Sequence, residues 1–139
     1  MELVDLYDEN RIPLGRTAER YAPKKPGEYR TVVHVCIFAP DGRMLIQQRT
    51  SCKVIWPDRW DVSAAGGVDA GEDSRMAAER ECREELDVAV SVGGVFMEVT
   101  HVYPDLTVHL TLFHAAIVSG EPKLLEHCGI RWITPDEIP

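Results

Sequence analysis

Three glutamates near the middle of the chain have a spacing that could hold a metal ion. Glu81, Glu84 and Glu85 occupy positions i, i+3 and i+4, so a helix would present them on one face. Like charges at this spacing repel one another on an isolated helix. A divalent cation would explain the pattern, because hard cations such as Mg²⁺ prefer oxygen ligands and often accompany phosphate substrates. The competing interpretation is a solvated helix face, which is the commoner use of glutamate.

A helix must position these carboxylates, and the flanking residues predict its limits. Asp73 is a candidate N-cap, which predicts a helix over residues 74–86. Its apolar residues recur at i, i+4 and i+8, and these are Ala78, Cys82 and Leu86. One side of the helix is therefore expected to pack on a sheet, while the carboxylates point into a cleft.

Residues 66–88 resemble the Nudix box, G-x5-E-x7-R-E-U-x-E-E-x-G-U, where U is an aliphatic residue. The matching positions are Gly66, Glu72, Arg80, Glu81, Glu84, Glu85 and Val88. Cys82 stands at an aliphatic position, which a small apolar side chain can fill. Asp87 stands where the family has glycine, and Asp tolerates the left-handed conformation better than most residues.

The resemblance implies roles for the box residues. It implies Mg²⁺ or Mn²⁺ as the cofactor, and its ligands would be Glu81, Glu84, Glu85 and the backbone carbonyl of Ala65. Gly66 and Glu72 would shape the loop, and Arg80 is predicted to pair with Glu72, a geometry that suits an arginine–carboxylate fork. Glu81, Glu84 and Arg80 are the candidate catalytic residues. Glu81 is the leading candidate for the general base, with Glu98 and Glu126 as alternatives outside the box.

Composition limits the classes of partner. The chain has 139 residues and a formal net charge of −8, which argues against binding a nucleic acid polymer through its backbone. No apolar run reaches the length of a membrane span or resembles a signal peptide. The four cysteines form no C-x-x-C pair, so a reducing cytoplasm is expected. A monomer and a homodimer both remain open.

The chain is predicted to form a single α+β domain over residues 1–139. Residues 1–30 are expected to form an N-terminal β-hairpin and a loop, and residues 32–39 and 44–48 a second hairpin around Asp41-Gly42. The resemblance implies the Nudix fold, a mixed β-sheet sandwiched between helices (α/β/α). Family members often continue past the segment at residues 132–138 into a final helix, so a short protein and a truncated chain are both open.

Residues 41–66 resemble the branch of the family close to isopentenyl-diphosphate isomerases. In those isomerases, residues at the positions of Arg49 and Lys53 contact the substrate diphosphate. The catalytic cysteine of the isomerases is replaced here by Ala65, and two of their metal-binding histidines fall at Arg30 and Gly67.

The leading hypothesis is therefore a metal-dependent hydrolase that cleaves the diphosphate linkage of a small, nucleoside-diphosphate-like or related substrate. The alternatives are a prenyl-diphosphate isomerase and a non-catalytic Nudix module that binds a nucleotide. The histidines are weak indicators. His109 could line the cleft, although a packed or structural position is the commoner outcome, and no role is assigned to His101.

Overall fold

The computed structural model describes residues 3–20, 22, 25–48, 59–103, 106–125 and 128–137. Its β-strands are β1 (Leu3–Tyr7), β2 (Pro13–Glu19), β3 (Arg30–Ile37), β4 (Met44–Gln48), β5 (Trp60–Asp61), β6 (Ala64–Gly67), β7 (Ala89–Tyr103), β8 (Leu106–Ser119) and β9 (Gly129–Ile133). The helix α1 spans Ser74–Leu86, and a 3₁₀ turn covers Pro135–Glu137. The predicted α+β class and N-terminal hairpin are confirmed.

The strands form three sheets. The central sheet has the order β6-β3-β8-β7 and is mixed, because β3 runs parallel to β8 while its other pairings are antiparallel. A second sheet has the order β5-β4-β9, and the hairpin β1-β2 forms the third. β6 enters the box loop directly, so the edge of the central sheet fixes where that loop begins.

The helix begins and ends where the sequence predicts. The Asp73 side chain accepts a hydrogen bond of 2.7 Å from the backbone N–H of Met76, as an N-cap does. Asp87 adopts the left-handed conformation, with φ 56° and ψ 43°, and its N–H donates to the Arg83 carbonyl. Asp87 thus takes the place of the C-terminal glycine of the box. No described helix is both long enough and apolar enough to pass through a lipid bilayer.

The core lies between α1 and the central sheet. Ala78, Cys82 and Leu86 of the helix have no exposed surface, which confirms the predicted apolar stripe. They belong to the same buried cluster as Val33, Val35, Ile37, Leu45 and Phe113. The alternation of buried and half-buried residues along β3 shows that one face of the strand packs toward the helix.

The second predicted hairpin was wrong. Asp41-Gly42 does form a turn, with Gly42 at φ 91°, but β3 and β4 belong to different sheets. An isolated antiparallel bridge connects Phe38, which follows β3, to Met44 of β4. β3 pairs instead with β6 and β8, because non-local pairing satisfies both of its edges and buries it in the central sheet. The strands that lead into the box, β5 and β6, likewise belong to different sheets, and β7 is one continuous strand of 15 residues.

Candidate active site

Arg80 contacts both the loop and the helix of the box. Its Nε and Nη2 donate to the two carboxylate oxygens of Glu72 over 2.8 and 2.9 Å, so the predicted ion pair is present and bidentate. Nη2 also donates to the Gly67 carbonyl over 2.9 Å. Nη1 donates to Glu81 Oε1 over 2.7 Å and to Glu84 Oε2 over 3.2 Å. One guanidinium therefore joins the loop to the acidic face of α1.

Glu81 and Glu85 are both buried, with 7% and 5% of their surface exposed. Their side chains lie one turn apart on the same face of α1. Gly66 makes room for this pair, because a Cβ at that position would lie 2.2 Å from the carboxyl carbon of Glu81. A side chain at the first glycine of the box would therefore displace the Glu81 carboxylate from this position.

Burial dominates the electrostatics of Glu81. It raises the pKa of this carboxyl, while the hydrogen bond and the charge of the Arg80 guanidinium act in the opposite direction. The pKa of Glu72 is lowered instead, chiefly by its hydrogen bonds from Arg80. The pKa values of the two box glutamates that contact Arg80 most closely are thus shifted in opposite directions.

Gln47 is a site residue that the sequence did not indicate. It lies on β4, is 2% exposed, and donates from Nε2 to Glu85 Oε2 over 2.8 Å. Its Oε1 is buried and accepts no hydrogen bond from any described residue. The alternation along β4 places Gln47 on the same inward face as Leu45, and that is the one signal that could have identified it.

Glu84 differs from the other two predicted ligands. Its side chain is 51% exposed, and its partner among the described residues is Arg80. Across the part of the chain that the structure describes, no three His, Cys, Asp or Glu side chains form a ready-made metal-binding group. The structure thus brings Glu81 and Glu85 together, with Glu84 at the solvent edge.

The donor set at this site fits a hard divalent cation. Glu81 and Glu85 are buried carboxylates that accept from Arg80 and Gln47 respectively, and Gln47 Oε1 is a buried oxygen without a donor among the described residues. Carboxylate and amide oxygens are the ligands that Mg²⁺ and Mn²⁺ accept.

The remaining candidates lie outside the box in the sequence. Arg49, Lys53 and Glu126 lie outside the described residues. Glu98 forms an ion pair with Arg11 over 3.1 Å. The side chain of His101 lies outside the part of the molecule that the structure describes.

His109 is a packed residue of the sheet. It has no exposed surface, and its ring stacks on Tyr29 with centroids 4.5 Å apart. Both ring nitrogens are engaged, one with the Thr100 hydroxyl at 2.9 Å and the other with the Asp8 carbonyl at 2.7 Å. Neither nitrogen is left to bind a metal in this arrangement.

The chain matches known proteins over most of its length. Residues 28–139 match the family model described as the NUDIX domain. A Nudix hydrolase of Listeria monocytogenes is 48% identical over 94 residues, covering 68% of this chain and 56% of the relative. The isopentenyl-diphosphate Delta-isomerase of Streptomyces coelicolor is 34% identical over 144 residues, covering 98% of this chain and 73% of the relative. The chain spans about half the length of the Listeria relatives that it matches.

A solved structure supports the same fold. The crystal structure of a Deinococcus radiodurans protein superposes with a TM-score of 0.76 at 25% sequence identity, covering 97% of this chain and 85% of that one.

Proposed function

The chain belongs to the Nudix family, and from that premise we propose that it is a metal-dependent hydrolase that cleaves the diphosphate linkage of a small substrate. Nucleoside diphosphate derivatives and related diphosphates are the substrate class. The observation that carries the proposal is the buried pair of Glu81 and Glu85, held beside a loop that Arg80 fastens to the helix. Buried acids cost folding free energy unless they are paired, so a cluster rich in carboxylates indicates a cationic ligand.

We assign Glu81, Glu84, Glu85 and the Ala65 carbonyl as the groups that would hold Mg²⁺ or Mn²⁺. When bound, the ion supplies positive charge for the phosphate oxygens and favours ionisation of water. The side chains around the ligands hold them in position. Gln47 orients the Glu85 carboxylate through its 2.8 Å hydrogen bond, and Arg80 fixes Glu81 at 2.7 Å. Such orientation contributes to rate because misplaced groups lose effective concentration.

Glu81 is the proposed general base. Its carboxylate is fixed by the Arg80 guanidinium over 2.7 Å, and a general base must be held within hydrogen-bond reach of the proton that it takes. Arg49 and Lys53 are the proposed contacts to the substrate diphosphate, because a guanidinium gives bidentate contacts and an ammonium a point charge.

We also place the protein in a reducing cytoplasm, since Cys36, Cys82 and Cys128 are free thiols.

The direct test is a panel of diphosphate compounds incubated with the protein and Mg²⁺ or Mn²⁺. Nucleotide sugars, ADP-ribose, coenzymes, nucleoside triphosphates and prenyl diphosphates cover the class, and phosphate or nucleotide release is measured after each incubation. We expect turnover of at least one compound that is abolished by a chelator and restored by added metal. Turnover that survives chelation would contradict the metal-dependent mechanism.

One comparison favours a second candidate, a prenyl-diphosphate isomerase, because the Streptomyces isomerase matches nearly the whole chain. The local chemistry opposes it: Ala65 stands at the position of the isomerase cysteine, and the Cys82 thiol is fully buried with a pKa raised to about 12 by that burial. We therefore expect no deuterium uptake from solvent into isopentenyl diphosphate. Uptake above background would favour the isomerase.

A further inference from the structure

The box loop, residues 67–72, is fastened from two sides, and only one side belongs to the box. Arg80 holds it from the helix, through Glu72 and the Gly67 carbonyl. The N-terminal hairpin holds it from the other side. That hairpin lies before residue 28, where the match to the family begins, so the match does not account for its contacts.

We propose that the N-terminal hairpin positions the box loop through Asp5 and Arg20, and thereby sets the place of Arg80 and of Glu81, to which Arg80 donates. Asp5 and Arg20 are positioning residues, and the inference rests on the proposed function for its kinetic consequence.

Strand β1 contacts the tip of the loop through two hydrogen bonds. The Ala70 N–H donates to the Leu3 carbonyl and the Gly71 N–H donates to Asp5 Oδ2, both over 2.9 Å. Gly71 has φ +82°, a conformation that favours glycine, and its hydrogen bond to Asp5 ties this turn to β1. Val4 has no exposed surface and Leu6 only 2%, which anchors the strand that carries these acceptors.

Arg20, which directly follows β2, contacts the base of the loop. Its Nη2 donates to Asp69 Oδ1 over 2.5 Å, and its side chain is 14% exposed. The guanidinium also covers Gly67, because a Cβ added there would lie 3.1 Å from Arg20 Cζ. Any side chain at position 67 would therefore crowd Arg20.

Asp69 connects this contact to the acidic cluster. Its Oδ2 lies 3.6 Å from Arg80 Nη2, while its N–H donates to Glu72 Oε1 over 3.1 Å. Arg20 and Arg80 thus both contact Asp69, and Arg80 in turn donates a hydrogen bond to Glu81 over 2.7 Å. Partners of this kind orient a ligand without touching the metal, and their loss weakens metal binding.

The test compares Asp5→Ala and Arg20→Ala with a control from the same hairpin. Arg16→Ala removes a charged side chain that pairs with Glu28 over 2.8 Å, away from the box loop. Two readouts need no substrate: Mn²⁺ affinity from the paramagnetic resonance signal of the free ion, and hydrogen exchange of the Ala70 and Gly71 amides by NMR. The conservative variants Asp5→Asn and Arg20→Lys complete the set.

We expect both alanine variants to bind Mn²⁺ about three- to tenfold more weakly than wild type, because one hydrogen bond or charged contact is lost outside the ligand shell. Exchange at Ala70 and Gly71 should rise, and kcat should fall with little change in KM. Asp5→Asn should restore the wild-type values, since the amide oxygen can still accept from Gly71, and Arg20→Lys should restore them in part.

Mn²⁺ affinity and amide exchange equal to those of Arg16→Ala would overturn the inference. If the wild-type protein binds no Mn²⁺ and turns over no diphosphate, the proposed function fails, and amide exchange alone still decides whether the hairpin positions the loop. If Arg20→Ala does not fold, the comparison of Asp5→Ala with Asp5→Asn decides, because the Asp5 contact lies at the edge of the molecule.

Discussion

The two faces of α1 are both buried, but for different physical reasons. Ala78, Cys82 and Leu86 have no exposed surface and pack against apolar strands, where removal of apolar area from water favours folding. Glu81 and Glu85 are almost equally buried, where loss of hydration opposes folding. Burial alone therefore does not distinguish a structural face from a functional one.

The difference lies in what compensates the burial. Packing is sufficient for the apolar face, whereas the acidic face depends on Arg80, Gln47 and the missing side chain of Gly66. A buried ion pair is seldom a gain over apolar packing, so stability alone does not account for the acidic face, whereas the proposed chemistry would. Substitutions on the two faces should consequently have separable effects, on turnover for one face and on stability for the other.

The largest expected effect is on the acidic face. Glu85→Gln removes a proposed metal ligand while keeping the side-chain shape, and we expect kcat to fall by about 10³-fold, or about 4 kcal/mol of transition-state stabilisation. The melting temperature should stay the same or rise, since a buried carboxylate is removed. Steady-state kinetics on a confirmed substrate and thermal unfolding measure both quantities.

The matched control is Glu79→Gln, which makes the same substitution at an exposed position of α1. It should leave both kcat and the melting temperature close to wild type. Equal kcat values for the two variants would show that Glu85 does not take part in the reaction.

The second effect belongs to the apolar face. Leu86→Ala leaves a cavity under α1, and we expect the free energy of unfolding to fall by about 2–5 kcal/mol. Urea denaturation measures that loss. The kcat of the folded protein, assayed well below its transition, should change by less than about twofold if the faces are separable. A large drop in kcat would show that packing and chemistry are coupled through the helix.

The third prediction concerns Arg80, which joins the loop to the acidic face. Arg80→Ala should reduce kcat by about 10- to 100-fold with a smaller change in KM, because a shifted loop misplaces the acids more than it weakens substrate binding. Arg80→Lys should recover little of the activity, since an ammonium cannot reproduce the bidentate contact with Glu72. A rise in KM at constant kcat would instead indicate that Arg80 binds substrate.

The smallest effect is at the end of the helix, where both faces stop. Asp87→Gly should raise the free energy of unfolding by about 0.5 kcal/mol, because glycine adopts the left-handed conformation at φ 56° more readily. The exposed contact from Lys123 to Asp87, 3.1 Å long, contributes little to this balance. Asp87→Ala should destabilise, since alanine keeps the strain without the tolerance of Asp. Thermal unfolding of both variants measures the difference, and a stabilising Asp87→Ala would contradict the explanation.

The local features of the box were predictable from the sequence. The limits of α1, its Asp73 cap, its apolar stripe and the pairing of Arg80 with Glu72 all depend on groups within about two turns of each other along the chain. Their geometry follows from the helical repeat and from short-range hydrogen bonds, which a sequence pattern contains directly. The left-handed Asp87 was predictable for the same reason, because the box itself marks that position.

The tertiary structure decided the rest. The separation of β3 and β4 into different sheets depends on partners far along the chain, such as β8, and a local turn signal cannot exclude it. The contacts of Gln47 with Glu85, and of Asp5 and Arg20 with the box loop, join residues between 38 and 66 positions apart. The sequence determined which acids share a helical face, because the helical repeat is local. Which of them are buried, and what holds them in place, was decided by the packing of distant strands around that helix.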